Sequence, residues 1–526
     1  MLAALYSRIT IPSTMNRSMR LLILTGTLLW VPLVSATNYY ISFSSGSNAN
    51  NGTSKATPWK THPYMQTAAG CTTSGSAPTY AHSAGDVFTF KQGDSWPNAC
   101  FDMVLGAGGS NGNPDIYTFD PTWGTPPTSV NNNAGQITNA YQFTAGGSVI
   151  NGVSGINRFI STNGHSNVTI NGAEFTGMLW SGNPSFGNAF IVDINTDQNI
   201  IVSNSYFHGW THTGATGDVM KAVAGRVSSP FNAGSQVTGS VFDGTGATDS
   251  GEAVYAVQMA DNNIVKNMSN GILPNVNAIV HDNTVGPINT SFDATNHENC
   301  FEPIGLPAGV TSTEYFYNNI WHDCAAVGIL TQGGAASTGI EKVWLWNNVA
   351  WIGSTSSPPI PFQFDTVSAF NGSCEVHMYN NTIYAGSGQQ CARTVNRGNG
   401  PLSVLDVQNN HCITDRSPTM DFTLNATTYT NANNTNMGTA TAIGQGYNAS
   451  ETYAYSPTLI TNSTVGAGAN LSTLVTGSLS SLQNDTTYGG IRSTIARPGG
   501  SSAWDTGAYQ WGSEPAPPTN LQGIVN

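Results

Sequence analysis

The chain has 526 residues, of which only 9% are charged, and 29 Asp and Glu outnumber 16 Lys and Arg to give a net charge of −13. This balance offers no basic stripe to displace the counterions of nucleic acid, and an anionic membrane surface would repel it. Because 39% of the residues are hydrophobic, a disordered polyelectrolyte is excluded as well.

The N-terminus has the pattern of an export signal. Arg17 and Arg20 precede an apolar run over 21–34, and small residues at Val34-Ser35-Ala36 suit cleavage before Thr37. An uncleaved anchor would need a longer apolar run. We therefore predict that residues 1–36, including an extension upstream of Met15, are removed. The mature protein is expected to be secreted or at the cell surface, with no membrane segment left.

The seven cysteines are compatible with disulfides in an exported protein, and their odd number leaves at least one unpaired. Cys71–Cys100 and Cys374–Cys391 are the pairs that we would test first, although spacing does not fix connectivity. The spacing of Cys and His shows no zinc motif, so we assign no metal ligand. Ca²⁺ stays open as a cofactor.

A short pattern of alternating apolar residues, one or two Asn or Asp, and further apolar or aromatic residues repeats along the chain. Its intervals of roughly 20 to 36 residues are those of a solenoid. The copies include Val168-Thr169-Ile170-Asn171, Asn262-Asn263-Ile264-Val265, His281-Asp282-Asn283, Asn318-Asn319-Ile320-Trp321, Asn347-Asn348-Val349, Asn380-Asn381-Thr382-Ile383 and Asn409-Asn410-His411-Cys412.

Alternation places every second side chain inside a half-buried strand, and Asn accepts the left-handed backbone of a sharp turn. A single repeat cannot bury its apolar face, so stacked coils must share one core, and Asn side chains can form a ladder between coils. A β-sandwich would show hairpin turns instead. The sequence therefore predicts an all-β fold, a single parallel β-helix solenoid over 37–424.

The C-terminal part is less regular. Residues 425–487 are rich in Asn, Thr, Ser and Gly, and over 425–511 we expect coils together with an irregular capping region that covers the open edge. Residues 512–526 read as a Pro-rich linker.

Two motifs, one at each end of residues 39–511, resemble those of a known superfamily. Tyr39-Tyr40-Ile41-Ser42 with the Gly- and Asn-rich stretch after it, and Trp504-Asp505-Thr506-Gly507-Ala508-Tyr509 near the end, are similar to the opening and closing motifs of secreted pectate-lyase-like proteins. The resemblance implies a right-handed parallel β-helix and polysaccharide as the partner. It says little about activity, because the superfamily includes lyases, hydrolases, epimerases and non-catalytic proteins.

Three neighbouring segments hold a concentration of charge in this charge-poor chain, which makes them candidates for a catalytic groove. The candidate catalytic residues are Asp218, Lys221, Glu252, Asp293, His297, Glu298 and Glu302. If the segments stack as coils, Asp218, Glu252 and Asn299 would form one column, and Lys221, Tyr255 and Glu302 a second. The competing interpretation is that these acids only close turns.

Candidate substrate-binding residues are His212, Tyr255, Trp344 and Trp346. His212 and Tyr255 belong to the charged segments. Trp344 and Trp346 alternate with Leu345 and so share a face, where they would stack on sugar rings or pack against other residues.

Two functions follow from these features. One is a secreted polysaccharide lyase or glycoside hydrolase that works in a groove on one parallel sheet. The alternative is a non-catalytic adhesin or glycan-binding β-helix stalk. We expect a monomer in either case.

Overall fold

The computed structural model describes residues 36–512 apart from short gaps. These gaps are residues 73–74, 127, 133–134, 147–148, 152–157, 182–188, 214–219, 247–250, 289–297, 304–306, 308, 333–338, 353–359, 367–372, 397–401, 423–425 and 450–452. All of the structure described below belongs to the compact unit that begins at Thr37.

Three long parallel sheets run along the protein. Sheet 1 has 13 strands: Asn38–Ile41, Val87–Gln92, Asp115–Gly124, Val168–Asn171, Ile200–Ser203, Gln236–Thr238, Met259–Asp261, Ile279–His281, Thr311–Tyr317, Ile340–Trp346, Ser373–Tyr379, Val404–Gln408 and Thr428–Ala432. Sheet 2 has 12 strands: Ser95–Trp96, Tyr141–Thr144, Ala173–Thr176, Tyr206–His208, Val241–Asp243, Ile264–Lys266, Thr284–Val285, Ile320–His322, Val349–Trp351, Thr382–Gly386, His411–Thr414 and Thr435–Met437.

Sheet 3 consists of two parts. The first has the strands Met103–Val104, Ile160–Ser161, Ala189–Asp193, Met220–Ala224, Glu252–Tyr255 and Asn270–Leu273. The second has the strands Val327–Gln332, Ile360–Thr366, Ala392–Asn396 and Met420–Asp421. Phe301 bridges the two parts by pairing in parallel with Ile272 and Ile329.

Smaller elements complete the secondary structure of the described residues. A short parallel sheet contains Val149–Asn151, Leu179–Ser181 and Thr211–Thr213, and an antiparallel hairpin contains Thr128–Asn132 and Gly135–Asn139. The helices are the α-helix Thr439–Gly444 and the 3₁₀ helices Asn98–Cys100, Ser472–Leu474 and Gly477–Gln483.

The path of the chain confirms the predicted β-helix. A typical coil runs through Ile200–Ser203 in sheet 1, Tyr206–His208 in sheet 2 and Met220–Ala224 in sheet 3, and then returns to sheet 1 at Gln236–Thr238. Each strand pairs in parallel with its counterpart in the next coil. The fold is a right-handed parallel β-helix, with the apolar core enclosed between the three sheets.

The repeated Asn pairs mark the turns between sheets 1 and 2. The first residue of each pair has a left-handed backbone, with φ between 51° and 59° at Asn262, Asp282, Asn318, Asn347, Asn380, Asn409 and Asn433. The second residue joins a ladder in which each Nδ2 donates to the next Oδ1 at 2.9–3.2 Å. This ladder contains Asn263, Asn283, Asn319, Asn348, Asn381, Asn410 and Asn434. The predicted ladder is therefore confirmed.

The C-terminal region packs against the outside of the last coils. Tyr447, Tyr455 and Tyr509 cover sheet 2 residues such as Val349, and Tyr455 stacks on Tyr384 with ring centres 4.8 Å apart. Leu471, Leu482 and Trp504 pack against Trp346 and Tyr379 of sheet 1. The predicted linker over 512–526 lies outside the described residues except for Gly512.

Three disulfides join neighbouring segments. Cys71–Cys100 is confirmed, and Cys300–Cys324 and Cys391–Cys412 are the other two. The predicted Cys374–Cys391 pair is wrong, because Cys374 points into the core beside Glu341 and is a buried free thiol.

Candidate functional site on sheet 3

Four successive coils of sheet 3 place charged and amide side chains in one row. Lys221 lies in register with Glu252 on the next strand, and Glu252 lies in register with Asn270. The Asn299 backbone N–H donates to Asn270 Oδ1 at 2.8 Å, which extends the row by one coil. We call Lys221, Glu252, Asn270 and Asn299 the polar row. Their exposed fractions are only 0–2%.

The centre of the polar row is a buried ion pair. Lys221 Nζ lies 2.7 Å from Glu252 Oε2, and the two side chains are 1% and 2% exposed. The Lys221 ammonium also lies 4.4 Å from the centre of the half-buried Tyr255 ring. Charges removed from water are tolerated when they are paired, and the face of an aromatic ring adds attraction for the cation. The pair therefore fixes Tyr255 beside it.

At its far end the polar row contacts Glu302. Asn299 Nδ2 donates to Glu302 Oε2 at 2.8 Å, and the Glu302 backbone N–H donates to the Ile272 carbonyl at 3.1 Å. The disulfide from Cys300 fixes the same segment. Glu302 is half-buried, and the hydrogen bond from Asn299 orients its carboxylate.

At its other end the polar row adjoins a cluster of Arg158, Arg226, Asp193 and Asp102, which we call the arginine cluster. Phe190 lies in register with Lys221, and the guanidinium of Arg226 lies 4.6 Å from the Phe190 ring centre. Arg226 Nη2 contacts Asp193 Oδ1 at 2.9 Å, and Arg158 Nη1 contacts Asp193 Oδ2 at 2.5 Å. Arg226 is 32% exposed, so this cluster presents one partly exposed cation on the outer side of sheet 3.

Asp102 is the remaining acid of this cluster. Its Oδ1 accepts from the Arg158 backbone N–H at 2.9 Å. Burial raises the pKa of Asp102 to about 6, against the opposing effects of that hydrogen bond and of the Arg158 charge. This carboxyl therefore titrates in a range where general acids and bases work.

The structure places only part of the predicted site. Among the candidate catalytic residues, Lys221, Glu252, Glu298 and Glu302 are described, whereas Asp218, Asp293 and His297 lie outside the described residues. His212 lies on the strand Thr211–Thr213, in register with Trp180, and its side chain lies outside the described part. Glu298 begins the segment of Asn299 with a left-handed backbone, at φ 47°.

The predicted columns are corrected by the register. Lys221 aligns with Glu252, and Tyr255 aligns with Ala224 and Leu273, so Lys221, Tyr255 and Glu302 do not form one column. The inward apolar residues decide this register, because a slip would expose them. Glu252 and Asn299, placed together by the sequence, do share a row.

The two tryptophans lie on sheet 1, away from the polar row. Trp346 is 0% exposed, stacks on Tyr317 at 4.4 Å, and donates from Nε1 to Ser481 Oγ of the C-terminal region. The prediction that Trp346 contacts substrate is therefore wrong. Trp344 is half-buried and stacks on His377 at 3.8 Å, so one face of its ring is already covered.

Sequence reasoning missed the arginine cluster. Asp102, Arg158, Asp193 and Arg226 come from four segments, and no sequence pattern links these segments to one another. The only signal in the sequence is that basic residues are scarce, with 16 in the whole chain, so each one is a candidate for a specific role. Two of these 16 contact Asp193.

Two further observations on the described residues concern metal binding and membrane spanning. No group of three or more His, Cys, Asp or Glu side chains within them is arranged to hold a metal ion. None of the helices in this part of the chain has the length and apolar character needed to cross a bilayer.

Comparisons with known proteins add similarities of fold. No protein-family model and no curated protein sequence matches the chain. The solved structure of pectate lyase Pel9A is similar at 13% identity and a TM-score of 0.39, covering 91% of this chain and 97% of that one. A rhamnogalacturonan lyase is similar at 11% identity and a TM-score of 0.36, covering 76% and 87%. The GH136 lacto-N-biosidase of Eubacterium ramulus is similar at 10% and 0.32, covering 65% and 68%. These values are too low to transfer an activity, and the architecture rests on the strand pairing itself.

Proposed function

We propose that the protein is a secreted, glycan-directed β-helix that binds a polysaccharide along the outer side of sheet 3 and cleaves it there. The observation that carries the proposal is the polar row, which leads over four coils to the oriented carboxylate of Glu302. Successive coils are about 4.8 Å apart, so a chain of sugars lying along the helix axis would contact several of them.

Glu302 is the proposed reacting carboxylate, because it is half-buried while held by Asn299. A positioned carboxyl group serves glycan cleavage either as a general acid or as a general base. Tyr255 offers a half-buried ring, and Arg226 a partly exposed guanidinium, to the same ligand.

Lys221 and Glu252 have a different part in this proposal. With 1% and 2% exposure they do not reach a polymer, so they act as positioning residues that hold Tyr255 and the row. Asp218, Asp293 and His297 precede the strands or segments of the polar row in sequence, and they remain proposed catalytic residues alongside Glu298.

The alternative is a non-catalytic glycan-binding stalk. The burial of the Lys221–Glu252 pair favours it, because two of the predicted catalytic charges are thereby withdrawn from solvent and neutralise each other.

Purified protein incubated with a panel of acidic and neutral polysaccharides separates these functions. Ultraviolet-absorbing unsaturated ends would show elimination, and new reducing ends without them would show hydrolysis. With the active glycan, Glu302→Gln is expected to lower kcat by about 10²-fold or more. Glu375→Gln, a half-buried carboxylate on sheet 1, is the matched control and should leave kcat unchanged. Binding without any product would support the stalk, and neither binding nor product would end the proposal.

A further inference from the structure

Thr37, the residue directly before the first strand of the β-helix, contacts a buried carboxylate. The backbone nitrogen of Thr37 donates to Asp86 Oδ1 at 2.9 Å, and the Thr37 carbonyl accepts from the Val87 backbone N–H at 2.9 Å. Asp86 is 0% exposed, and Thr37 is half-buried. This contact fixes the start of the strand Asn38–Ile41, the outermost strand of sheet 1.

Asp86 has only neutral partners among the described residues. Besides Thr37, its oxygens accept from the Tyr80 hydroxyl at 2.8 Å and from the Ser83 backbone N–H at 2.9 Å. No Lys or Arg in the described part of the chain forms an ion pair with Asp86. A buried carboxylate of this kind is stabilised further when one of its donors carries a positive charge.

A second buried acid adds to the negative charge at this place. Asp115, 1% exposed, contacts His82 Nε2 at 2.9 Å and accepts from the Gly85 backbone N–H at 3.0 Å. Burial raises the pKa of Asp115, His82 and the Gly85 N–H oppose this effect, and the charge of Asp86 adds to it. The two acids together favour a cation beside them.

The residues that precede Thr37 have the pattern of a cleavage site. The small residues Val34-Ser35-Ala36 predict cleavage of the bond between Ala36 and Thr37. Hydrolysis of that bond adds water, leaves a carboxylate on Ala36, and turns the Thr37 amide nitrogen into an amine that is protonated at neutral pH.

We propose that Ala36–Thr37 is a processing site, and that the new Thr37 ammonium forms an ion pair with Asp86 that locks the first coil. The lock is independent of any glycan activity. In the uncleaved chain the same nitrogen makes a neutral hydrogen bond, so processing strengthens a contact whose geometry already exists.

The first test is the N-terminal residue of the exported protein, read by sequencing or intact mass. Thr37 is expected, and any other first residue would overturn the proposal. The second test compares chains that begin at Thr37 with chains that carry a short Gly-Ser extension before it. The extension moves the charge away from Asp86 and is expected to lower the Tm.

Two backgrounds make this comparison specific. In Asp86→Asn the penalty of the extension should disappear. In the matched control Asp94→Asn it should persist, because Asp94 is also buried near the first strand but bonds Ser42 instead. An extension that costs nothing, or that costs the same in both backgrounds, contradicts the lock.

A measurement on the unmutated protein covers the case in which Asp86→Asn does not fold. Pairing with a carboxylate stabilises the ammonium, so the native amine should acylate more slowly than that of the unfolded chain. Each unit by which pairing raises its pKa slows the reaction about tenfold. Equal rates in the folded and unfolded chains would overturn the ion pair.

Discussion

Lys221 and Glu252 face each other across adjacent strands of sheet 3, with Nζ and Oε2 2.7 Å apart and almost no solvent at either group. Such a pair has little net stabilising value relative to apolar residues of the same size, because both charges lose their hydration. Removing one partner is far more damaging, since it leaves the other charge buried alone.

Lys221→Met is therefore expected to lower the free energy of unfolding by about 3–5 kcal/mol. The double variant Lys221→Met/Glu252→Leu should recover most of this loss, since no unpaired charge remains. Denaturant titration measures both. The matched control is Lys266→Met, which breaks the Lys266–Asp243 pair, where the lysine is 40% exposed. It should cost less than about 1 kcal/mol. Equal losses in the two single variants would show that burial of the pair has no energetic consequence.

The Asn ladder makes a second prediction, at Asn348. Its Oδ1 accepts from the Asn319 backbone N–H at 3.0 Å, and its Nδ2 donates to the Phe316 carbonyl and to Asn381, both at 2.9 Å. Asn348→Ala leaves these buried groups without partners, and each such group costs about 1–3 kcal/mol. We expect a loss of about 3 kcal/mol in the free energy of unfolding.

The control for the ladder is Asn436→Ala. Asn436 lies in register with Cys412 on the last coil, but it is exposed at the end of the solenoid. Its replacement should change stability by less than about 0.5 kcal/mol. A small loss at Asn348 would mean that water replaces the ladder.

The coils could be predicted from the sequence because their signal is local. In each Asn pair the left-handed turn and the ladder residue are adjacent, as in Asn347-Asn348. The alignment of Lys221 with Glu252 is not local, since it depends on how far the chain travels through each turn before the next strand begins. For Trp346 the sequence left packing and sugar binding as alternatives, because Ser481, its hydrogen-bond partner, is 135 residues away.

Cys374 gives a chemical test of the disulfide pattern. Three disulfides occupy six of the seven cysteines, and Cys374 is 2% exposed. Burial also raises the pKa of its thiol. We expect no alkylation of the native protein, and one alkylated residue, at position 374, after unfolding without reductant. Peptide mapping locates the label. A label at position 412 instead would restore the Cys374–Cys391 pairing.

The core beneath sheet 1 contains two carboxyl groups that make stability depend on pH. Glu314 accepts from Ser312 Oγ at 2.8 Å, and Glu341 lies in register with Ser312 and contacts the Cys374 thiol. Both glutamates are 1% exposed. Burial raises the pKa of Glu341 to about 7, and burial together with the Glu341 charge raises the pKa of Glu314 well above its usual value.

A raised pKa in the folded state means that the folded protein keeps a proton that the unfolded chain loses. This stabilisation is fully present below the ordinary pKa of 4.5 and is lost as pH rises through about 7 for Glu341. The slope approaches about 1.4 kcal/mol per pH unit for each group. Glu341→Gln, which stays neutral, should reduce the fall in unfolding free energy across this range. Glu375→Gln on the adjacent strand, in register with Lys342 and 20% exposed, should keep the wild-type slope. Parallel pH profiles for the wild type and Glu341→Gln would show that Glu341 is already ionised inside the core.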